Sequence, residues 1–440
     1  MSPQSSLINL AEQTSPPTSR GTQDAKPERE RVTTRAAAST ITDKTVRQLS
    51  KRAGEPAWLL QRRLAAWRAY RAMAMPNPLE EEWRRTDISS LDLDAALAAT
   101  GNGTSERHAD SLPAGVTFSD LATAARGHEA LVKEHLHGLA LPTEWKLGAL
   151  QAALWQGGAL VHVPRGVEVT LPLLYAISAS GAPLFPHLLI VAEAGSSVTV
   201  VQETYSPDTG GQALVSGAVE IIVGPDARVR FVELQRWGNS TYNFSTIRAR
   251  LERGAELTAA LVGLGSRLTK TRLEVSLEGE GARAELLGLS LGDGDQHFDY
   301  VTLQDHIAPR TTSDLLFKAA LAGRASEVWQ GTVRIEKGAG GSDANQTSRN
   351  LLLSEHAKAA PIPVLEIEAY DVLRCSHGAT AGPLDEEQLF YLESRGIPPA
   401  EAERLLVEAF FRQVLDRIPV EHVRERVEAA LADKIEASSP

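Results

Sequence analysis

The sequence predicts a mainly β protein: a parallel β-helix core with helical segments at both ends, a β-sandwich being the rival arrangement. Three observations carry this. From about residue 158 to 372 the chain consists of short β-rich runs such as "ALVHVPRGVEVTLPLLYAIS" and "GAVEIIVGPDARVRFVELQRW", punctuated by Gly, Pro and Asp. A turn followed by a β-prone run recurs from Gly195, Pro225, Gly254 and Gly281, at intervals of 30, 29 and 27 residues. Such a period suits strands stacked rung on rung, each rung satisfying its neighbour's backbone groups. A sandwich also yields short strands with frequent turns, and the recurrence favours the β-helix over it. Finally, helical periodicity is confined to the two ends.

The elements follow in order. Residues 1–38 are rich in Ser, Thr, Pro, Gln and charge and read as a disordered tail. A helical region is expected over 39–157. Its first two helices are interrupted at Gly54 and Pro56, and the second places Leu60, Leu64, Trp67 and Arg71 three or four apart before Pro76 and Pro78 stop it. Trp58 and Trp67 read as packing groups of an amphipathic face. Residues 101–120 read as a polar loop, and helical signal resumes in "FSDLATAARGHEALVKEHL" and "TEWKLGALQAALWQGG". His128, His135 and His137 sit in ordinary helical or loop context and are not read as ligands. The β-helix core is expected over 158–382. In a C-terminal helical region, 383–436, Asp385 can cap a helix with Gln388 at the reciprocal position, and Gly396 ends it. A second helix repeats Ala402, Leu405, Leu406, Ala409, Phe410 and Val414. The pair Phe410–Phe411 suggests apolar surface beyond what the core uses, hence a partner.

Composition narrows function. The net charge of -11 speaks against a broad nucleic-acid footprint. The single cysteine excludes an intrachain disulfide and any two-cysteine metal site within one chain. No secretion signal and no run of about 18 apolar residues is visible, so a cytoplasmic, non-membrane protein is expected. Neither a Walker motif nor a dinucleotide fingerprint occurs. "DHIAPRTTSD", with Asp305, His306 and Asp314, reads as a turn stabilised by Asp and Thr rather than a metal site. "EKGAGGSDANQTSRNLLLSE" reads as a long polar turn before the strand "RNLLLS", with Arg349 structural or at an interface.

The one chemically distinctive stretch is "LRCSHGATAGPLDEEQLFYLESRGIP", from Leu373. Cys375 and His377 are two apart. In a helix they diverge; in a strand both leave the same face. The preceding "VLEIEAYDVL" favours the strand. A thiolate and an imidazole both suit iron and zinc, yet two donors leave a four-coordinate site incomplete. Either the missing donors come from elsewhere, or the pair is an inert cysteine beside a surface histidine. A Cys–His protease is disfavoured, because neighbours in a strand do not by themselves orient a base.

The segment "GSDANQTSRNLLLSEHAKAAPIPVLEIEAYDVLRCSHGATAGPLDEEQLFYLESRGI" strongly resembles the SufB/SufD family of iron–sulfur cluster assembly proteins, with "EPAWLLQRRLAAW", "EEWRRTDIS" and "DHIAPRTTSDLLFKAALAGRASEVWQG" matching its helical head and β-helical core. The resemblance covers roughly residues 40–435. Cys-Ser-His-Gly-Ala-Thr is the SufD-like form, whereas SufB-like chains usually carry Cys-Glu-His-Glu-Ala and further core cysteines. The resemblance implies a right-handed parallel β-helix and a non-catalytic scaffold subunit of a cytoplasmic SufBCD complex. It further implies a SufB-like partner at the end of the β-helix and a SufC-like ATPase on the C-terminal helices. Cys375 and His377 would lie at the SufB-side interface as metal-site residues, His377 the stronger candidate to hold or transfer a nascent cluster. No cofactor is expected to be tightly bound by this chain alone. The alternatives are a SufB-like primary scaffold, or a homodimer of the isolated chain. A carbohydrate-active β-helix enzyme is a remoter alternative, disfavoured because many such enzymes need a secretion signal.

Overall fold

The computed structural model describes residues 41–208, 210–418 and 420–438; the tail expected at 1–38 lies outside them. Helices α1 (Asp43–Ala53), α2 (Ala57–Ala72) and α3 (Leu93–Ala98) open the chain. Thr42 caps α1, and Gly54 ends it in the left-handed region at φ 62°. Strands β1 (Asn102–His108) and β2 (Thr117–Asp120) follow, then α4 (Leu121–Gly127), α5 (Glu129–His135) and α6 (Lys146–Leu154). Residues 101–120 are thus not the expected loop. Their polar strands run antiparallel onto β4 (Leu173–Ser180) and β3 (Ala159–Val163), partners supplied about 70 and 40 residues later.

Strands then alternate between two faces: β5 (His187–Ala192), β6 (Ser197–Tyr205), β7 (Ala213–Val223), β8 (Arg228–Arg236), β9 (Thr241–Leu251) and β10 (Glu256–Gly263). They continue as β11 (Leu268–Leu277), β12 (Arg283–Gly292), β13 (His297–His306), β14 (Thr312–Leu321), β15 (Ser326–Ile335), β16 (Asp343–Leu352), β17 (Lys358–Ile367) and β18 (Arg374–Gly382). Even-numbered strands from β4 to β18 form one parallel sheet and odd-numbered strands from β3 to β17 the other, which is a parallel β-helix. The register is in phase: Ser197, Arg228, Glu256, Arg283, Thr312, Asp343 and Arg374 stack in one column.

The recurrence visible in the sequence is the signature of one corner of each rung. Gly195, Asp226, Gly254, Gly281, Arg310 and Gly341 all have positive φ there. Each donates its N–H to the next rung's corner, as from Gly254 to Glu280 O at 2.9 Å. At Gly254 a Cβ would come within 2.4 Å of Asp226 Oδ1, so the corner selects glycine twice over. β16 begins at Asp343, not at the expected "RNLLLS", because the polar stretch Asp343–Ser348 continues the ladder with β14.

Three apolar layers hold the fold. The lumen is filled by inward residues such as Val200, Phe231, Ile247, Leu286 and Phe317. The N-terminal helices cover the outer face of the odd-numbered sheet, with Trp83, Trp145, Leu150 and Trp155 against Leu189, Leu214 and Phe244. Buried Arg63 bridges Glu55 (2.6 Å) and the carbonyls of Ala153 and Trp155. Trp67 is buried as expected.

At the C-terminus, α7 (Glu386–Ser394), α8 (Pro399–Leu415) and α9 (Glu421–Ser438) follow β18. Helices α8 and α9 cover the even-numbered sheet: Val407, Phe411, Val414, Val427 and Leu431 pack on Val232, Leu234, Leu287 and Leu289. Each such side chain contributes about 2–3 kcal/mol. The partner-facing role read from Phe410–Phe411 is therefore corrected. Phe411 is fully buried on the β-helix, and the half-buried Phe410 packs beside it with Lys318 Nζ 4.4 Å from its ring centroid. Helix α7 is the exposed one, with Asp385 capping it and Phe390 and Tyr391 facing out.

Candidate functional site

The two ends of the β-helix differ. At the first rung, antiparallel β1 and β2 lie on the outer edges of β4 and β3 and are the terminal strands of the two sheets there. At the last rung, β17 and β18 are the terminal strands of their sheets, and no described strand pairs with their free edges. Cys375 and His377 lie on β18.

The strand reading of the pair holds. Cys375 stacks on Ala344 and His377 on Gln346, so both side chains sit on the inward face of the last rung. Cys375 is half-buried against Val333, Ile335, Ala339, Ala344 and Ala369, a small apolar plug. Burial pushes its thiol up, so the isolated chain holds it protonated at neutral pH. His377 is exposed. Among the described residues, neither belongs to a metal-ready cluster of three donors; the one such cluster, His137, His187 and Glu220, lies in the N-terminal half.

Below the plug the lumen turns polar. His306, buried on β13, makes ring-nitrogen hydrogen bonds with Thr311 Oγ1 and Ser313 Oγ, both at 2.7 Å. Gln304 Nε2 donates to Ser313 Oγ at 2.6 Å, and Thr311 Oγ1 lies 2.8 Å from Ser342 Oγ. Burial pushes the His306 imidazole down to about 4, so it is neutral. It belongs to a hydroxyl-lined corner, as its turn context suggested. Deeper in, Glu327 is fully buried and pushed up to about 8, and Glu233, accepting from Gln202 Nε2 at 3.0 Å, is pushed up to about 7, both by desolvation.

Sequence reasoning missed three features. One is the run of exposed apolar side chains around the last rung and α7: Val364, Ile367, Tyr370, Leu373, Phe390 and Tyr391. Tyr370 is 98% exposed, far beyond an ordinary surface aromatic. Another is a polar ladder on the outer face from Ser376 to Arg417, whose bonded members lie 31, 31 and 103 residues apart and show only once rungs stack. The last is the His137–His187–Glu220 cluster, half-buried at His137 and buried at the other two, drawn from three separate segments.

The family model described as the SUF system FeS cluster assembly, SufBD core domain, matches residues 175–410, and that of the SufBD protein N-terminal region matches 91–174. The chain is 34% identical over 382 residues to an iron–sulfur cluster assembly SufBD family protein of Mycobacterium tuberculosis, covering 83% of this chain and 90% of the relative. It is 31% identical over 425 residues to the iron–sulfur cluster assembly protein SufD of Bacillus subtilis, covering 89% and 97%. A Staphylococcus haemolyticus SufBD family protein is 29% identical over 425 residues, covering 88% and 91%. With a β-helical core matched over more than half its length, the chain belongs to the SufBD family of iron–sulfur cluster assembly proteins.

Proposed function

We propose that this chain is a SufD-like, non-catalytic scaffold subunit that presents the open end of its β-helix to a SufB-like partner, the nascent iron–sulfur cluster being cargo assembled between them. The asymmetry of the two ends carries the reading. The first rung carries an added antiparallel strand on each sheet, β1 being polar and exposed, while the last is edged by parallel β17 and β18 with an apolar rim, a thiol and an imidazole beside it. Free edges of this kind are templates for another β-helix. A partner's end rung would bury Tyr370 and Leu373 and supply the missing ligands.

Within that interface His377 is the exposed donor and Cys375 the recessed one. Imidazole binds iron without losing a proton when neutral; the Cys375 thiol must first lose its own, which a nearby cation or metal from the partner would favour. The SufD-like assignment is supported by the similarity to a chain named SufD and by the single cysteine. A SufC-like ATPase would engage residues 383–436, where α7 offers Phe390 and Tyr391. Its strokes would reach the end rung through the packed α8–α9 layer. The complex would work in the cytoplasm.

Cluster reconstitution with the SufB-like and SufC-like partners tests the reading. His377→Ala should leave complex formation intact and lower cluster yield severalfold. Unchanged yield would remove His377 from the cluster site.

A further inference from the structure

The connection between α5 and α6 folds back onto the odd-numbered sheet, anchored by one carboxylate. Glu220 on β7 is fully buried and accepts from the backbone N–H groups of His137 (2.7 Å), Leu139 (2.7 Å) and Ala140 (3.0 Å). Its Oε2 also lies 2.8 Å from His187 Nε2 of neighbouring β5. His187 is fully buried, and its Nδ1 lies 3.3 Å from Gln151 Nε2.

His137 is the anomaly. Its backbone is left-handed, at φ 55°, and its ring stands edge-on to His187 with centroids 4.8 Å apart. Both its ring nitrogens are shut off from solvent, and neither has a hydrogen-bond partner among the described residues. A neutral imidazole carries one donor and one acceptor, and native interiors seldom leave both unmade without an ion or water to take them up. The donor atoms of His137, His187 and Glu220 all lie within 4.8 Å of one another. Two imidazoles and one carboxylate are a donor set for zinc and ferrous iron. The nearby cations are already engaged: Arg62 donates to Leu136 O and Lys133 O, and Arg63 to Glu55.

We propose that His137, His187 and Glu220 form a structural site for a divalent transition ion of the zinc or ferrous class, stapling the α5–α6 connection to the β-helix. Burial pushes the His137 imidazole down to about 3, so it offers a lone pair at neutral pH without losing a proton. Coordination through His187 Nε2 places that ring's proton on Nδ1. The Gln151 amide then turns its oxygen toward Nδ1, giving up its bond to Pro186 O, which keeps the Ala218 N–H at 3.1 Å. The Glu220 Oε2 lone pair released by His187 passes to the ion, while its backbone donors stay in place.

The test uses the full chain carrying Cys375→Ser and His377→Ala, which removes the end-rung donors, so that its outcome is independent of the cluster proposal. After chelation, Co2+ and Zn2+ are titrated in. We expect one ion per chain, the visible ligand-field absorption of low-coordinate Co2+, and a raised thermal midpoint. His137→Asn tolerates the left-handed backbone and keeps the N–H to Glu220; it should bind at least tenfold more weakly and lose the thermal shift. A parent that takes up no Co2+ with such a spectrum, or a His137→Asn chain that binds equally, overturns the site. Should that variant not fold, zinc-edge X-ray absorption of the loaded parent decides: two imidazoles in the first shell support the site, and none overturns it.

Discussion

Ser376, on the last strand of the β-helix, donates its hydroxyl hydrogen to Asn345 Oδ1 at 2.8 Å. That contact is the top of a column running down the outer face. Asn345 Nδ2 donates to Asp314 Oδ1 at 2.8 Å, and Arg417, just beyond α8, clamps Asp314 and, through Nε at 2.8 Å, Glu285. Asp314, Asn345 and Ser376 are register neighbours on successive rungs. The strand that carries Cys375 and His377 is thereby tied to the C-terminal helices by side-chain hydrogen bonds as well as by packing.

Arg417→Ala should break this tie. Charge-assisted hydrogen bonds of this kind contribute about 2 kcal/mol together, and urea unfolding should register a loss of that order. Amide exchange should quicken in α8 and α9 while the lumen strands stay protected. A loss below about 0.5 kcal/mol, as for an ordinary surface pair, would mean the column carries no load.

The buried pair in the N-terminal region makes a larger claim. Arg63 and Glu55 side chains are 1% and 0% exposed, and Arg63 stacks 4.2 Å from the Trp155 ring centroid. Arg63→Met leaves a carboxylate buried without its cation and should cost about 3–5 kcal/mol. The double variant Arg63→Met, Glu55→Gln should recover part of it, and equal losses in the two would contradict the assignment.

Stability should fall on the alkaline side because of the lumen acids. The Glu327 and Glu233 carboxyls are raised to about 8 and about 7 when folded, so the unfolded chain ionises them first. Their contribution is full below the ordinary carboxylate range and is lost as pH rises through 7 to 8. Glu327→Gln should therefore narrow the difference in unfolding free energy between pH 5 and pH 8.5. Parallel pH profiles for variant and wild type would show Glu327 to be ionised in the folded chain. On the acid side His306, neutral in the fold with its pKa lowered to about 4, works in the opposite sense: its contribution is lost as pH falls from about 6.5 toward 4.

The Cys375 thiol, raised by burial, should resist iodoacetamide at neutral pH in the isolated chain. The alkylation midpoint should lie above that of a free cysteine. Rapid modification at pH 7 would mean a thiolate is already stabilised without a partner.

The core was legible because its repeat is enforced locally: each corner needs a left-handed residue, so Gly195, Gly254 and Gly281 mark rungs in the sequence itself. The same-face placement of Cys375 and His377 followed from strand alternation. What stayed hidden depends on distant partners. β1 reads as a loop because its polar residues are ordered by pairing with β4, not by an apolar face of their own. The strand start at Asp343 was missed because inward polar residues such as Gln346 are buried beneath the end rung, where the lumen is no longer apolar. Phe411 looked like spare surface because nothing in its helix announces that Leu234 and Leu289 lie across from it. His137 has ordinary neighbours in sequence; only folding brings it to His187 and Glu220.

The central claim, that the last rung is the docking edge, is tested most directly by amide hydrogen exchange across the chain with and without the SufB-like partner. Protection should rise in residues 358–382, Tyr370 and Leu373 included, with β1 and β2 unchanged. Protection confined to the N-terminal strands and helices, with 358–382 exchanging as in the free chain, would contradict it.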